Sequence, residues 1–135
     1  SSIVNDPKKI LFILEHNGKK LGHVGFRNYN IKNKSIEIDN IVKGKQFHPQ
    51  LMEKALKKII RWAFDELDVS KITVEVFSDN HKAINLYERC NLLTIDSILL
   101  RKKQYKHGWE WIKIKKNSTE SSSRYLSVLE IKKES

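Results

Sequence analysis

One stretch constrains the fold of this chain more than any other: Ile72-Thr73-Val74-Glu75-Val76-Phe77, then Ser78-Asp79-Asn80, then His81 through Leu92. The first part is rich in β-branched and aromatic residues, which suit a pleated strand, and the polar turn stops it. A short amphipathic helix follows. Ala83, Ile84 and Leu86 are its packing residues, and Asn80 and Tyr87 stand two turns apart. Asn80 carries the side chain of a helix N-cap. Asn91 takes the helix-ending place usually held by Gly, because Asn tolerates the left-handed conformation needed there.

The rest of the chain is read around this unit. The run Ile10 to Glu15 ends at Asn17-Gly18, a strong hairpin signal, and Leu21 to Phe26 returns as its partner strand. Polar residues Asn28 to Lys34 form a turn, and Ser35 to Val42 then alternates. Ile36 and Ile38 share one face of that strand, Glu37 and Asp39 the other. Pro49 suits the first position of a helix. Behind it Met52, Ala55, Leu56, Ile59, Ile60, Ala63 and Leu67 recur at the spacing of a helix buried on one side. Leu93 to Lys103 and Trp109 to Lys115 read as a hairpin around His107-Gly108, and a Ser-rich loop leads to a last strand, Arg124 to Lys132. The expected fold class is α/β in the mixed (α+β) sense, with antiparallel and parallel pairing in one sheet.

A chain of 135 residues is expected to form one domain, over 1–135, with a sizeable core. Its 39% hydrophobic content argues against disorder, and no apolar run approaches the roughly 20 residues of a membrane span. No membrane partner is expected. Cys90 is the single cysteine, so no internal disulfide forms, which fits a reducing, cytoplasmic setting. The formal net charge of +10 points to an anionic partner. Nucleic acid ranks low among the candidates, because the lysines are spread along the chain. Only Lys102 to Trp111 interleaves them with aromatics. The five histidines show no metal-ligand spacing, and no metal site is expected.

The pattern Asn80-x-x-Ala83-Ile84-x-Leu86-Tyr87-Glu88 resembles the second cofactor-binding motif of the GNAT acyl-CoA N-acyltransferases. The order of elements from Ile10 to Lys133 also resembles the GNAT core from its second strand onward. That resemblance implies a mostly antiparallel sheet flanked by helices and splayed on either side of the cofactor helix. It implies acetyl-CoA as cofactor, with Asn80 and Ala83 near the pantetheine arm and Tyr87 facing the thioester sulfur as general acid. The family's phosphate loop falls on Phe47-His48-Pro49-Gln50-Leu51-Met52, where Gln50 and Met52 replace the usual glycines and Phe47 the usual amide or basic residue. Pro49-Gln50-Leu51-Met52 is similar to a Pro-Gly-Leu-Met variant of that loop. Ile41, Val42, Lys43, His48, Gln50, Leu51 and Met52 complete the cofactor-binding set that the resemblance implies, and Lys45 adds positive charge.

For the base, the resemblance points to a carboxylate on the strand before the loop: Glu37 first and Asp39 second, or both merely exposed acids. GNAT domains begin with a strand and two helices that shape the acceptor pocket, whereas about nine residues precede the first strand expected here. An upstream segment or a second subunit is then expected to complete the site, or the chain is not a complete enzyme. Trp109 and Trp111 fold over the cleft, form a homodimer surface, or simply cover the sheet. The function implied is transfer of an acetyl group from acetyl-CoA to a primary amine by direct attack, with an amino-sugar nucleotide as one acceptor the resemblance suggests. The alternative is a GNAT-like binding or interaction module without catalysis, which the missing glycines favour.

Overall fold

The computed structural model describes residues 2–6, 9–43, 49–115 and 124–134. In chain order the elements are β1 (Ser2–Asp6), β2 (Lys9–His16), β3 (Lys19–Asn30), β4 (Ser35–Lys43), α1 (Pro49–Glu66), β5 (Lys71–Phe77), α2 (His81–Arg89), β6 (Leu93–Tyr105), β7 (Gly108–Lys113) and β8 (Arg124–Lys132). Among the described residues the strands form one eight-stranded sheet in the order β1-β2-β3-β4-β5-β8-β6-β7. The β4–β5 pair is parallel, and α1 supplies the crossover such a pair requires. The other six neighbouring pairs are antiparallel.

Local chemistry accounts for most of these boundaries. Asn17 (φ 52°) and Gly18 (φ 78°) both take positive φ, as a two-residue hairpin turn between twisted strands demands. Pro49 opens α1, where its missing N–H costs no helical bond. Asn80 caps α2: its Oδ1 accepts from the Ala83 N–H at 3.2 Å. Asn91, at φ 71°, ends that helix in the left-handed conformation the sequence predicts.

Both helices lie on the same face of the sheet. Arg89 of α2 reaches Glu53 of α1, with Nε 2.7 Å from Oε1, and the Cys90 thiol points at the Glu53 carbonyl, 3.8 Å away. Beneath them the alternate residues of the central strands form the core. Val24, Phe26, Ile36, Ile38, Ile72, Val74 and Leu129 pack against Met52, Leu56, Ile60 and Ala63 of α1 and Leu86 and Tyr87 of α2. Removing a side chain the size of Phe26 or Met52 from water contributes about 1.5–3 kcal/mol each. The other face carries Lys9, Arg27, Glu37 and Asp39, joined in ion pairs, and Glu75, which pairs with Lys113 of β7.

Four features differ from the sequence reading, the first being that β3 runs on to Asn30, into the stretch read as turn. A strand, β1, precedes the first expected one and pairs with β2 from Ser2↔Ile13 to Asp6↔Lys9. β4 does not alternate cleanly, because Asp39 forms a bulge. β6 also runs further than Lys103, to Tyr105. The Ser-rich loop lies outside the described residues.

Candidate active site

The parting of two strands creates the site. β4 pairs with β5 over four rows only, from Ser35↔Lys71 to Ile38↔Val74. Beyond Ile38, β4 follows β3 alone, through Asn40↔Gly25, Ile41↔Val24, Val42↔His23 and Lys43↔Gly22. β5 meanwhile follows β8 alone, from Glu75↔Val128 to Phe77↔Leu126. The sequence cause sits at Asp39. Phe26 faces Ile38 and Gly25 faces Asn40, so one residue of β4 has no partner across the ladder. Such a bulge bends its strand and increases the local twist. The result is a slot between β4 and β5 whose edges present unpaired backbone groups to an extended guest.

α1 starts immediately beyond the slot. Its first turn holds no acidic residue, so the positive end of its dipole is uncompensated there. Gln50 and Leu51 lie in this first turn, the end of a helix whose backbone N–H groups face a ligand site. The two residues that replace glycines behave differently. Met52 is 0% exposed, its side chain sunk in the core, so only its backbone is available at the helix tip. Gln50 is exposed and Leu51 half-buried. A hollow of about 460 Å³ lined by Pro49, Gln50, Glu53, Lys54 and Arg89 joins this tip to the end of α2. Lys45, Phe47 and His48 lie outside the described residues, and for Val42 and Lys43 the backbone pairing is what is described.

Tyr87 projects from α2 into the core cluster and is 6% exposed. Burial pushes its phenol up to about 12, with the nearby Cys90 as the lesser cause, so it stays protonated through neutral pH. Cys90 itself is pushed up to about 11, chiefly by burial; it is a packed thiol, as its sequence context suggested. Ala83 is half-buried on the same helix, and Asn80 already caps it.

Glu37 and Asp39 share the open face beside the parting, and neither is free. Arg27 spans both: its Nη2 lies 2.9 Å from Glu37 Oε1 and its Nη1 2.9 Å from Asp39 Oδ1. Asn28 Nδ2 donates to the second Glu37 oxygen at 3.0 Å, and Lys9 Nζ stands 3.4 Å from Asp39 Oδ2. The Glu37 hydrogen bond is the largest influence raising the Arg27 pKa, so the clamp is charged throughout the accessible range. Sequence reasoning missed Arg27, although a trace of it was legible. Positions 27 and 37 flank the turn joining β3 and β4, and a register shift between Arg27 and Asn30 makes them direct partners. Lys54 and Arg89 were also missed; nothing along the chain shows that α2 ends beside the start of α1.

Comparison with known proteins agrees with this geometry. A chimera of the spermidine N-acetyltransferase SpeG from Vibrio cholerae and hSSAT superposes with a TM-score of 0.71 at 18% identity, covering 94% of this chain and 68% of that one. The N-acetyltransferase PseH from Campylobacter jejuni gives 0.66 at 20% identity, covering 96% and 71%. These likenesses establish the fold. No curated protein sequence matches the chain. The model of the acetyltransferase (GNAT) family matches residues 2–92, which take in the strand parting, the whole of α1 and the α2 motif. The chain is therefore a member of the acetyltransferase (GNAT) family.

Proposed function

We propose that this chain is an acetyl-CoA-dependent N-acetyltransferase that passes the acetyl group directly to a primary amine. The observation that carries this reading is the end of β4–β5 pairing at Ile38↔Val74 beside a helix start without acidic residues. The residues present fit such a cofactor. The helix tip and the cations Lys54 and Arg89 suit a pyrophosphate and nucleotide, and the unpaired strand edge suits the amides of a pantetheine arm. When bound there, acetyl-CoA supplies an activated acyl carbon.

The chain's own residues would divide the proton work between the two faces of the sheet. Tyr87, on the helix side, holds a proton at its phenolic oxygen and delivers it to the departing sulfur as the C–S bond breaks. Glu37, on the open side, receives the proton that the amine gives up as the N–C bond forms, through water; Asp39 is second in that role. Backbone N–H groups at the bulge stabilise charge on the acyl oxygen. For the acceptor we favour a small amine borne on an anionic group, an amino-sugar nucleotide being one such molecule. The net charge of +10 and the mixed-charge open face support that choice.

Isothermal titration with acetyl-CoA tests the reading, followed by transfer assays against spermidine and amino-sugar nucleotides. Binding at micromolar affinity and turnover with at least one amine are expected. No heat and no thermal shift at millimolar acetyl-CoA would overturn it. Binding without turnover on any amine would favour the non-catalytic module instead, the reading that Gln50 in a glycine position supports.

A further inference from the structure

The hairpin at the end of the sheet is built unlike the rest. β6 stays paired with β8 as far as Leu100↔Arg124. Among the described residues it pairs beyond that row with β7 alone, from Arg101↔Ile112 to Tyr105↔Gly108, as a two-stranded ribbon. Six of the fifteen residues from Arg101 to Lys115 are Lys or Arg, against the single acid Glu110. Half of the net charge of +10 therefore sits on this short segment.

Aromatic rings alternate with those cations. Trp109 is 50% exposed and Tyr105 45% exposed, although the Tyr105 hydroxyl donates to Glu110. Strand alternation puts Lys102 and Trp109 on one face of the ribbon and Lys103 and Tyr105 on the other. Lys102 Nζ lies 4.1 Å from the Trp109 ring centre, and Lys103 Nζ 5.1 Å from that of Tyr105. The root is anchored: Trp111 packs edge-on against Trp109 at 5.8 Å, with the Arg124 guanidinium 5.4 Å from its ring on β8. The tip rings are thus held by a fixed base and open to solvent.

The chemistry selects the occupant. A second copy adding edge to edge along β7 would bring two ribbons of like charge together, the arrangement edge lysines prevent. A bilayer meets one plane, whereas this ribbon carries a cation and a ring on each face. A flexible polyanion with planar groups can use both. We propose that the β6–β7 ribbon is a binding surface for single-stranded nucleic acid. Trp109 and Tyr105 stack on bases, and Lys102, Lys103 and Lys106 contact phosphates. The low rank of nucleic acid rested on lysines spread along the chain, yet six of the 26 Lys and Arg residues fall within this one hairpin segment. The proposal is independent of acetyl transfer.

The test is fluorescence anisotropy of labelled oligo(U) and oligo(dT) with the full chain. Affinity should fall roughly 20-fold between about 50 and 200 mM salt if three phosphates are contacted. Trp109→Ala should weaken binding about fivefold or more, the loss of one stacked base, while Trp109→Phe, which keeps a ring, should retain most of it. Lys102→Ala with Lys103→Ala should flatten the salt dependence. All three positions are exposed, and circular dichroism confirms that the variants fold. The proposal is overturned by absence of oligonucleotide binding at about 50 mM salt. It is equally overturned if an abasic oligomer or a heparin fragment binds as tightly as oligo(U), if Trp109→Ala changes nothing, or if phosphatidylserine vesicles are bound in preference.

Discussion

The two faces of the central sheet are made by neighbouring residues and behave oppositely. On β3, Phe26 is 0% exposed beneath the helices, while Arg27, the next residue, lies on the open face with a side chain 38% exposed and two carboxylates in its grip. The helix side gains stability from apolar area removed from water, an effect that tolerates no substitute of smaller volume. The open side gains little stability from its charges and gains geometry from them: Glu37 and Asp39 are held in fixed positions across a bulge. The difference teaches where to look for each property. Stability and proton retention belong to the helix side, and charge placement to the open side.

Four measurements would break or sharpen that contrast. Phe26→Ala should cost about 3–5 kcal/mol in urea unfolding, the usual loss for a buried ring; a cost under about 1 kcal/mol would mean the helix side does not carry the fold. Alkaline pH gives the next effect. Tyr87 is raised from 10.0 to about 12 in the fold, so its contribution is fully present below pH 10 and is lost as pH rises towards about 12. Over that window the native chain should lose about 2–3 kcal/mol more than Tyr87→Phe does, read from unfolding at each pH. At neutral pH, Tyr87→Phe should lower turnover about 10- to 100-fold with little change in acetyl-CoA affinity. An unchanged rate would remove Tyr87 from the acid role. The smallest effect belongs to Arg27→Gln, expected to cost about 1 kcal/mol or less because the pair is partly solvated. A loss of several kcal/mol would erase the distinction between the faces.

What the sequence made legible was whatever one segment decides alone. The helix over Pro49–Glu66 follows from its own apolar spacing, the turn at Asn17-Gly18 from its own backbone preferences, and the cap and stop of α2 from Asn80 and Asn91. The α2 motif was legible for the same reason, since strand, turn and helix are contiguous. What escaped depends on a second segment. β1 is five residues long and is held by β2, so its few β-branched residues gave no periodicity to read. The Asp39 bulge arises from the register against β3, not from alternation within β4, which reads as unbroken. The Arg27 clamp and the meeting of Arg89 with Glu53 are likewise cross-segment facts. The core place of Met52 followed from its helical spacing, even though the loop resemblance set the same residue in the cofactor-binding stretch.

The position of β8 has a consequence for how the molecule assembles. It is the last strand in chain order among the described residues, yet it lies between β5 and β6 and makes a register with each. Until it emerges from the ribosome, β5 has an open edge on that side and the β6–β7 hairpin has nothing to dock on. The nascent chain must therefore wait with two incomplete pieces and then close contacts of high sequence separation, a topology that folds slowly. The arrival of β8, more than any earlier event, sets the moment at which these strands become one cooperative unit.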